Sequence, residues 1–402
     1  MCAALASLAL ITGPAFANDP RPDAGQATAP NTEAPPTAPT IANPSIRIVV
    51  ALPLSGPRRS VGAAARQRLS LMKSASDSSS GIGRRTWQLE ILDDACDREA
   101  TRQLALHIIA MTPPPAAVIG HPCASAAITA APIYQQAGLL FLAAGMRHPQ
   151  LTDQRAGPLV FRAAGRDDRQ GAEAGHRLRV LAGSSGNGLI IHDRTVLARS
   201  LAKAARESAT FGAQAEPYEL TIVAGESDYT RTIDEIASRM PRAILFLGFP
   251  SEAAIILRQL RARGLDVPFV VNDAMASTEF INHAGDLLET HVEVMMPVSI
   301  NRNTRAESEL SDALAASDVI AAVSVWADAV TAIASTDATQ IAQHLSSARS
   351  YLDKIGFDSA GDALRTSFAP FRRRDNTWQR ADLTNATESA ASPAVSRSTS
   401  DP

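Results

Sequence analysis

The stretch Ile46-Arg-Ile-Val-Val-Ala-Leu-Pro-Leu54 decides the fold. A short β-branched run, apolar at odd and even positions alike, reads as a strand buried on both faces, which is the mark of a parallel sheet. A small-residue loop, Ser55-Gly56-Pro57, follows it, and Gly62–Ser74 then has helical period. The phrase repeats. Trp87–Leu92 reads as a strand and Thr101–Met111 as a helix; Ala116–Ile119, Ala126–Gln136, Leu139–Ala143, Val160–Ala163 and Gly171–Leu181 continue the alternation. It resumes with Gly188–His192, Leu197–Ser208, Glu216–Val223, Thr230–Met240, Ala243–Gly248, Glu252–Arg263 and Val267–Val271. Two such runs predict an α/β protein of two doubly wound parallel-sheet lobes, with the helical stretch Arg305–Ser335 packed back on one of them.

The two ends read differently. Residues 1–17 form an apolar segment broken by Pro14 and closed by Ala15-Phe16-Ala17, which fits a signal peptide cleaved after Ala17. The basic n-region is missing, so a start further upstream or a buried N-terminal helix stays open; Cys2 lacks the context of a lipid anchor. Residues 18–44 carry seven prolines among Ala, Thr and Asn, and residues 383–402 are rich in Ser, Ala and Thr. Neither stretch buries enough apolar surface to offset its ordering entropy, so a linker and a disordered tail are expected.

Composition excludes several classes. At 402 residues the chain is long enough for two or three domains. With 41 acidic and 38 basic residues there is no basic footprint for nucleic acid. No apolar run reaches the roughly 18–20 residues of a spanning helix, so an integral membrane protein is ruled out.

Catalytic motifs fare no better. The loop after the first strand is not G-x-G-x-x-G, and Gly183–Gly188 precedes a strand, so it reads as a surface turn. Asp93, Asp94 and Asp97 lack calcium-loop spacing and a neighbouring His, and read as a solvated loop rather than a metal site. His192-Asp193 reads as structural for want of a second such pair. His121 beside Cys123 suggests a nucleophile pair, yet Cys96 and Cys123 are the two cysteines left once the leader is removed. In an exported chain they favour a disulfide over two free thiols, closing a loop of about 28 residues worth roughly 3–4 kcal/mol. No catalytic constellation, metal or cofactor is expected.

In doubly wound sheets ligands sit beyond the C-terminal strand ends, near helix N-termini. The loops to watch are Ser55–Pro57, Cys123–Ser125 and Gly145–His148 in the first lobe, and Asp193–Val196, Phe249–Ser251 and Asn272–Met275 in the second. A cleft between the lobes is the expected ligand site.

Several segments resemble the leucine/isoleucine/valine-binding proteins, type I periplasmic solute-binding proteins of ABC importers. They are Val49–Pro57, Asp93–Asp97, Val118–Cys123, Pro149–Thr152, Phe161-Arg162, Ile190–Asp193, Gly225–Tyr229, Leu257–Gln259 with Gly264-Leu265, and Ala284–Asp286. The resemblance runs from about Ile46 to Trp378, in the family's order. It implies lobe I over 46–162 plus 297–366, lobe II over 163–296 plus 367–382, a Cys96–Cys123 disulfide, and hinge closure on a solute without bond chemistry. It also implies a ligand set. A hydroxyl residue after the second cysteine becomes Ala124, with Ser125 next; a threonine that touches both ligand charges becomes Arg147. Gly145 supplies a carbonyl to the ammonium, Asp273 supplies the answering acid, and Phe249, Leu197 and Val61 stand at aromatic positions.

The expected ligand is therefore a small carboxylate with an apolar body, such as a branched-chain or other apolar amino acid, gripped by Arg147. The alternative for Arg147 is a cleft-rim side chain facing solvent. The expected partner is an ABC permease, and nothing demands more than a monomer. The rival reading is a periplasmic sensory or scaffold protein that kept the fold and lost transport. A hydrolase lacks a nucleophile–base pair, and a DNA-binding regulator would need an N-terminal helix-turn-helix.

Overall fold

The computed structural model describes residues 46–56, 58–78, 87–183, 187–209, 216–298, 310–347, 356–364, 367–375 and 377–381. The leader 1–17, the linker 18–44, the tail 383–402, the middle of the Gly183–Gly188 turn and residues 305–309 of the helical stretch lie outside these residues.

Five parallel strands build the first sheet: β1 (Ile46–Leu52), β2 (Trp87–Asp93), β3 (Ala117–Gly120), β4 (Phe141–Ala143) and β5 (Val160–Arg162), in the order β2-β1-β3-β4-β5. Alternate residues of each strand serve opposite faces, and both faces are covered. Val50, Leu52, Ile119, Leu142 and Phe161 pack with helix α1 (Arg59–Ser78). Val49, Ala51, Val118, Phe141 and Val160 pack with α2 (Arg98–Ile109) and α3 (Ala124–Gln136). Burial on both sides is why these strands read as unbroken apolar runs. A one-turn helix, α4 (Gln150–Asp153), follows β4.

After β5 the chain enters α5 (Asp167–Ala182) and builds a second sheet. Its first strands are β6 (Gly188–His192), β7 (Tyr218–Thr221), β8 (Ala243–Leu247), β9 (Phe269–Asn272) and β10 (Val292–Pro297), all parallel. They alternate with α6 (Val196–Ser208), α7 (Thr230–Arg239), α8 (Pro250–Ala262) and α9 (Thr278–Ala284). The chain then forms α10 (Leu310–Ile333) and α11 (Ala338–Ser347), whose Val319, Val323, Trp326, Ile341 and Leu345 belong to the first sheet's core. It ends on the second sheet with β11 (Phe368–Arg374) and β12 (Thr377–Arg380), each antiparallel to its neighbour, giving β12-β11-β10-β9-β8-β6-β7. The lobes are therefore doubly wound, with an antiparallel margin on the second that the apolar rhythm does not announce.

Helix α10 corrects one expectation. Leu314–Ile333 is long and apolar enough, by length and composition, to cross a membrane. Asp318 and Asp328 interrupt the run without lowering its mean hydropathy below that of a span. Its buried Val319, Ala322, Val323 and Trp326 pack on the strands of the first sheet, so it serves as a core helix.

Two passages between the lobes lie side by side. Arg162 ends β5 fully buried; its N–H donates to the Gly361 carbonyl at 2.8 Å and its carbonyl accepts from Ala363 at 3.1 Å. Its Nε donates to Asp362 at 2.7 Å, and Arg166 Nη1 donates to the other Asp362 oxygen at 3.0 Å. Such a hydrogen-bonded ion cluster fixes where the chain crosses while leaving each sheet rigid.

Candidate functional site

The disulfide sets the loop that opens α3. Cys96 and Cys123 are joined, with Cα atoms 5.5 Å apart. Cys123 is the N-cap of α3 yet makes no side-chain cap, its sulfur being bonded to Cys96. The first amides of α3, at Ala124 and Ser125, thus begin a helix whose positive end lacks a side-chain acceptor at its cap.

In the acidic cluster next to it Asp93 and Asp97 are exposed, as expected of a solvated loop, whereas Asp94 departs from that expectation. Asp94 is fully buried, with one oxygen 2.9 Å from His121 Nδ1 and the other accepting from the Cys96 amide at 2.9 Å. His121 Nε2 lies 3.0 Å from the Tyr134 hydroxyl, so neither ring nitrogen of this buried residue is available for catalysis. Asp97 caps α2 through the Ala100 amide at 2.9 Å. Asp93 accepts from the amides of Leu54, Ser55 and Ala95; these hydrogen bonds outweigh its partial desolvation and hold its carboxyl below the usual range. His192 pairs with Glu219 at 3.0 Å, and Asp193 closes a turn onto Thr195. Among the described residues, no group of three or more His, Cys, Asp or Glu is placed to hold a metal ion.

The loop after β4 is shaped by Gly145, at φ +77°. A Cβ there would lie 3.0 Å from the Pro122 side chain and 3.4 Å from Ala315 of α10, so the left-handed turn and the close approach both call for glycine. Arg162 Nη1 holds the loop from beneath, donating to the carbonyls of Arg147 at 2.9 Å and His148 at 2.6 Å.

Arg147 leaves this loop and meets the second lobe. Its Nη1 donates to Asp273, which begins the 3-10 turn after β9, and its Cζ stands 5.6 Å from the Phe368 ring centre. Asp318 of α10 lies 3.8 Å from Nη2. Gln170 of α5 donates to the other Asp273 oxygen at 2.9 Å and to the Met295 carbonyl at 2.9 Å. Arg147 thus faces an acid and is 13% exposed, in contrast to the solvent-facing rim side chain that was the alternative.

The electrostatics follow from burial. Desolvation works against the Arg147 charge, but Asp273, Asp318 and Asp167 together hold its pKa above the ordinary value. Burial pushes Asp318 up to about 6, with the Asp273 charge adding and Arg147 opposing. Burial likewise raises Asp167 to about 6, again against the pull of Arg147. Arg147 thus lies among three carboxylates, of which Asp167 also feels the Arg162 charge. Three acceptor atoms, Asp318 Oδ2 beside Arg147, Asp193 Oδ2 after β6 and Asn272 Oδ1 at the end of β9, are buried without a hydrogen bond.

The apolar positions scatter. Leu197 and Phe249 stand at the N-termini of α6 and α8, each about half exposed, whereas Val61, in the first turn of α1, is fully buried. Exposed Val196 and Val223 flank Leu197 and Phe249 at neighbouring strand ends. Gln170, Asp318 and Asp167 were missed from sequence. Gln170 and Asp167 lie inside a helix start and Asp318 inside an apolar helix, so only the polar interruption of α10 hinted at one of them.

Two doubly wound lobes with facing strand-end loops and a polar centre between them define a type I periplasmic binding protein. The chain belongs to the periplasmic binding protein family, whose model matches residues 45–367. Members of that family bind their substrates rather than convert them. A protein of Pseudomonas aeruginosa described as an amino acid binding protein is 30% identical over 207 residues; that match spans 51% of this chain and 54% of the relative. The Leu/Ile/Val-binding protein homolog 1 of Brucella suis is 26% identical over 338 residues, covering 81% of this chain and 90% of its own. Among solved structures, the substrate-binding protein LivJ of Streptococcus pneumoniae in complex with isoleucine superposes with a TM-score of 0.63 at 18% identity, over 83% of this chain and 98% of its own. A solute-binding protein of an ABC transporter from Rhodopseudomonas palustris, in complex with 3,4-dihydroxybenzoic acid, gives 0.62 at 14% identity, over 84% and 95%. Both structures share the fold.

Proposed function

We propose that this protein is the periplasmic receptor of an ABC importer and that it binds a small amino acid with an apolar side chain. The observation that carries this reading is the meeting of Arg147 and Asp273, a cation from one lobe and an anion from the other, within hydrogen-bond reach. An α-amino acid brings the complementary pair. Its carboxylate suits Arg147 and the uncapped amides of Ala124 and Ser125; its ammonium suits Asp273 and the Gly145 carbonyl. Leu197 and Phe249 offer the apolar body a surface. The relatives named for binding amino acids support the same class. In this reading the chain is exported with cleavage after Ala17, works as a monomer, and hands its solute to a permease in the inner membrane.

Thermal shift of the full chain against leucine, isoleucine, valine and aromatic acids tests the assignment. Ligand at one hundred times its Kd stabilises by about 2.7 kcal/mol, a readily measured shift. Failure of every carboxylate to raise the melting temperature contradicts it.

A second reading, a sensory or scaffold protein that lost transport, draws support from the exchange of two small hydroxyl positions for Ala124 and Arg147. Neighbouring permease and ATPase genes favour the importer; a neighbouring sensor kinase favours the rival.

A further inference from the structure

Helix α1 carries its charges against the grain of the rest of the chain. From Ala34 to Ser76 there are six basic residues, Arg47, Arg58, Arg59, Arg66, Arg68 and Lys73, and no Asp or Glu, although acids outnumber bases in the whole protein. Helices α2, α5 and α8 place an acid in their first turn, where the positive end of the helix dipole favours one. Helix α1 instead opens on Arg59, with Arg58 just before it, and its first turn holds no acid. Folding gains nothing from that arrangement.

The cations share a surface. Arg59, Ala63, Arg66, Gln67, Ser70 and Leu71 are exposed, at the spacing of one helical stripe about 18 Å long. Leu71, at its far end, is 67% exposed. Among the described residues, Arg58, Arg59 and Arg66 have no ion-pair partner, whereas Arg68 donates to Ser317 of α10. Glu90 of β2 lies on the sheet face opposite Leu89 and Ile91, the face on which α1 packs, and it pairs with Arg47 at 3.7 Å. Asp328, exposed on the neighbouring α10, already has a partner.

We propose that this stripe docks the protein on an anionic phospholipid surface, with Arg58, Arg59 and Arg66 among the headgroup phosphates and Leu71 in the apolar margin beneath them. A lipid surface fits better than an acidic protein. Phosphates spread in a plane meet a straight stripe without needing a particular spacing, and the same layer takes up an exposed leucine that an acidic peptide leaves wet. Each arginine at such a surface is worth about fivefold in affinity, so the three together give roughly a hundredfold. The proposal does not depend on which solute the cleft holds.

The test is co-sedimentation of the full chain with vesicles of phosphatidylcholine alone or mixed with phosphatidylglycerol. Both kinds present the same hydrocarbon, so the apolar residues 1–17 contribute equally to each. The wild-type protein is expected to prefer the anionic vesicles and to lose that preference at about 1 M salt, where the Debye length is about 3 Å. The triple variant Arg58→Gln, Arg59→Gln, Arg66→Gln is expected to bind them roughly a hundredfold more weakly, and Leu71→Asn more weakly by a smaller factor. The control Arg98→Gln, Arg199→Gln, Arg231→Gln removes the same charge from exposed positions on α2, α6 and α7 and is expected to keep the wild-type affinity. Equal binding to both vesicles overturns the proposal, as does a control that loses as much as the α1 variant. Binding to polyglutamate but not to anionic vesicles also overturns it, in favour of an acidic protein. If the triple variant fails to fold, Arg66→Gln alone decides: a loss of about fivefold upholds the proposal and no loss overturns it.

Discussion

Replacing Asp318 by Asn removes a desolvated negative charge beside Arg147, and its effect on stability depends on pH. Asp318 sits on α10 with Oδ2 buried, without a hydrogen bond, and 3.8 Å from its nearest cation, Arg147. Burial raises its pKa from 3.8 to about 6. About two units at ~1.4 kcal/mol each set an upper bound near 3 kcal/mol for the cost of holding the ionised carboxylate in the folded state. The side chain is 20% exposed, so screening trims the figure to about 1–3 kcal/mol. The direction follows from linkage. A carboxyl whose pKa is raised on folding binds its proton more tightly in the native state, so stability falls as pH climbs from the unfolded value of 3.8 through about 6. Asp167, raised for the same reason, adds to the same slope. Urea unfolding of Asp318→Asn is therefore expected to match the wild-type protein at pH 4 and to exceed it at pH 8 by about 1–3 kcal/mol. A variant less stable than wild type at pH 8 would refute the reasoning, because it would mean that Arg147 more than compensates the buried charge.

Other perturbations probe the scaffold. Glu293, 1% exposed, accepts from Arg177 and Arg372 at 2.7 Å each, so Glu293→Gln strands the buried Arg177 charge and is expected to cost roughly 3–5 kcal/mol in denaturant unfolding. Those two arginines outweigh desolvation and lower the Glu293 pKa, so its contribution is present above the ordinary carboxylate pKa of 4.5 and is lost as pH falls through the lowered value; an acid-side melting series reads this. Replacing Cys96 and Cys123 by Ser opens the loop they close and is expected to cost about 3–4 kcal/mol, with the midpoint of thermal unfolding falling under non-reducing conditions. Gly145→Ala forces a Cβ into a φ of +77° and against Pro122, so solute affinity is expected to fall more than the melting temperature does, read by titration beside a melt.

Strands packed on both faces announce themselves, and β1, β3, β6 and β8 follow the apolar runs closely. The strands hidden from sequence are hidden for physical reasons. Strand β10 carries Glu293 as its second residue, and that residue is tolerated because two distant arginines neutralise it. Strand β11 contains Pro370 and three arginines, at the margin where the sheet turns antiparallel. At the site, Arg147 and Asp273 were legible as residues at the right loops, but their pairing across 126 positions was not. Gln170 and Asp318 take their roles from helices that tertiary packing alone brings to the cleft. His121 shows the converse: its neighbour Cys123 suggested chemistry, whereas Asp94 and Tyr134 make it a buried strut.

Calorimetric titration of the full chain with leucine, 4-methylpentanoate and isopentylamine puts the two-charge requirement to the most direct trial. Each lost charge-assisted contact is worth about 1.5–3 kcal/mol, so the amino acid should bind roughly ten- to a hundredfold tighter than either analogue. Equal binding of an analogue, or no heat from any of the three, would contradict a cleft built around Arg147 and Asp273.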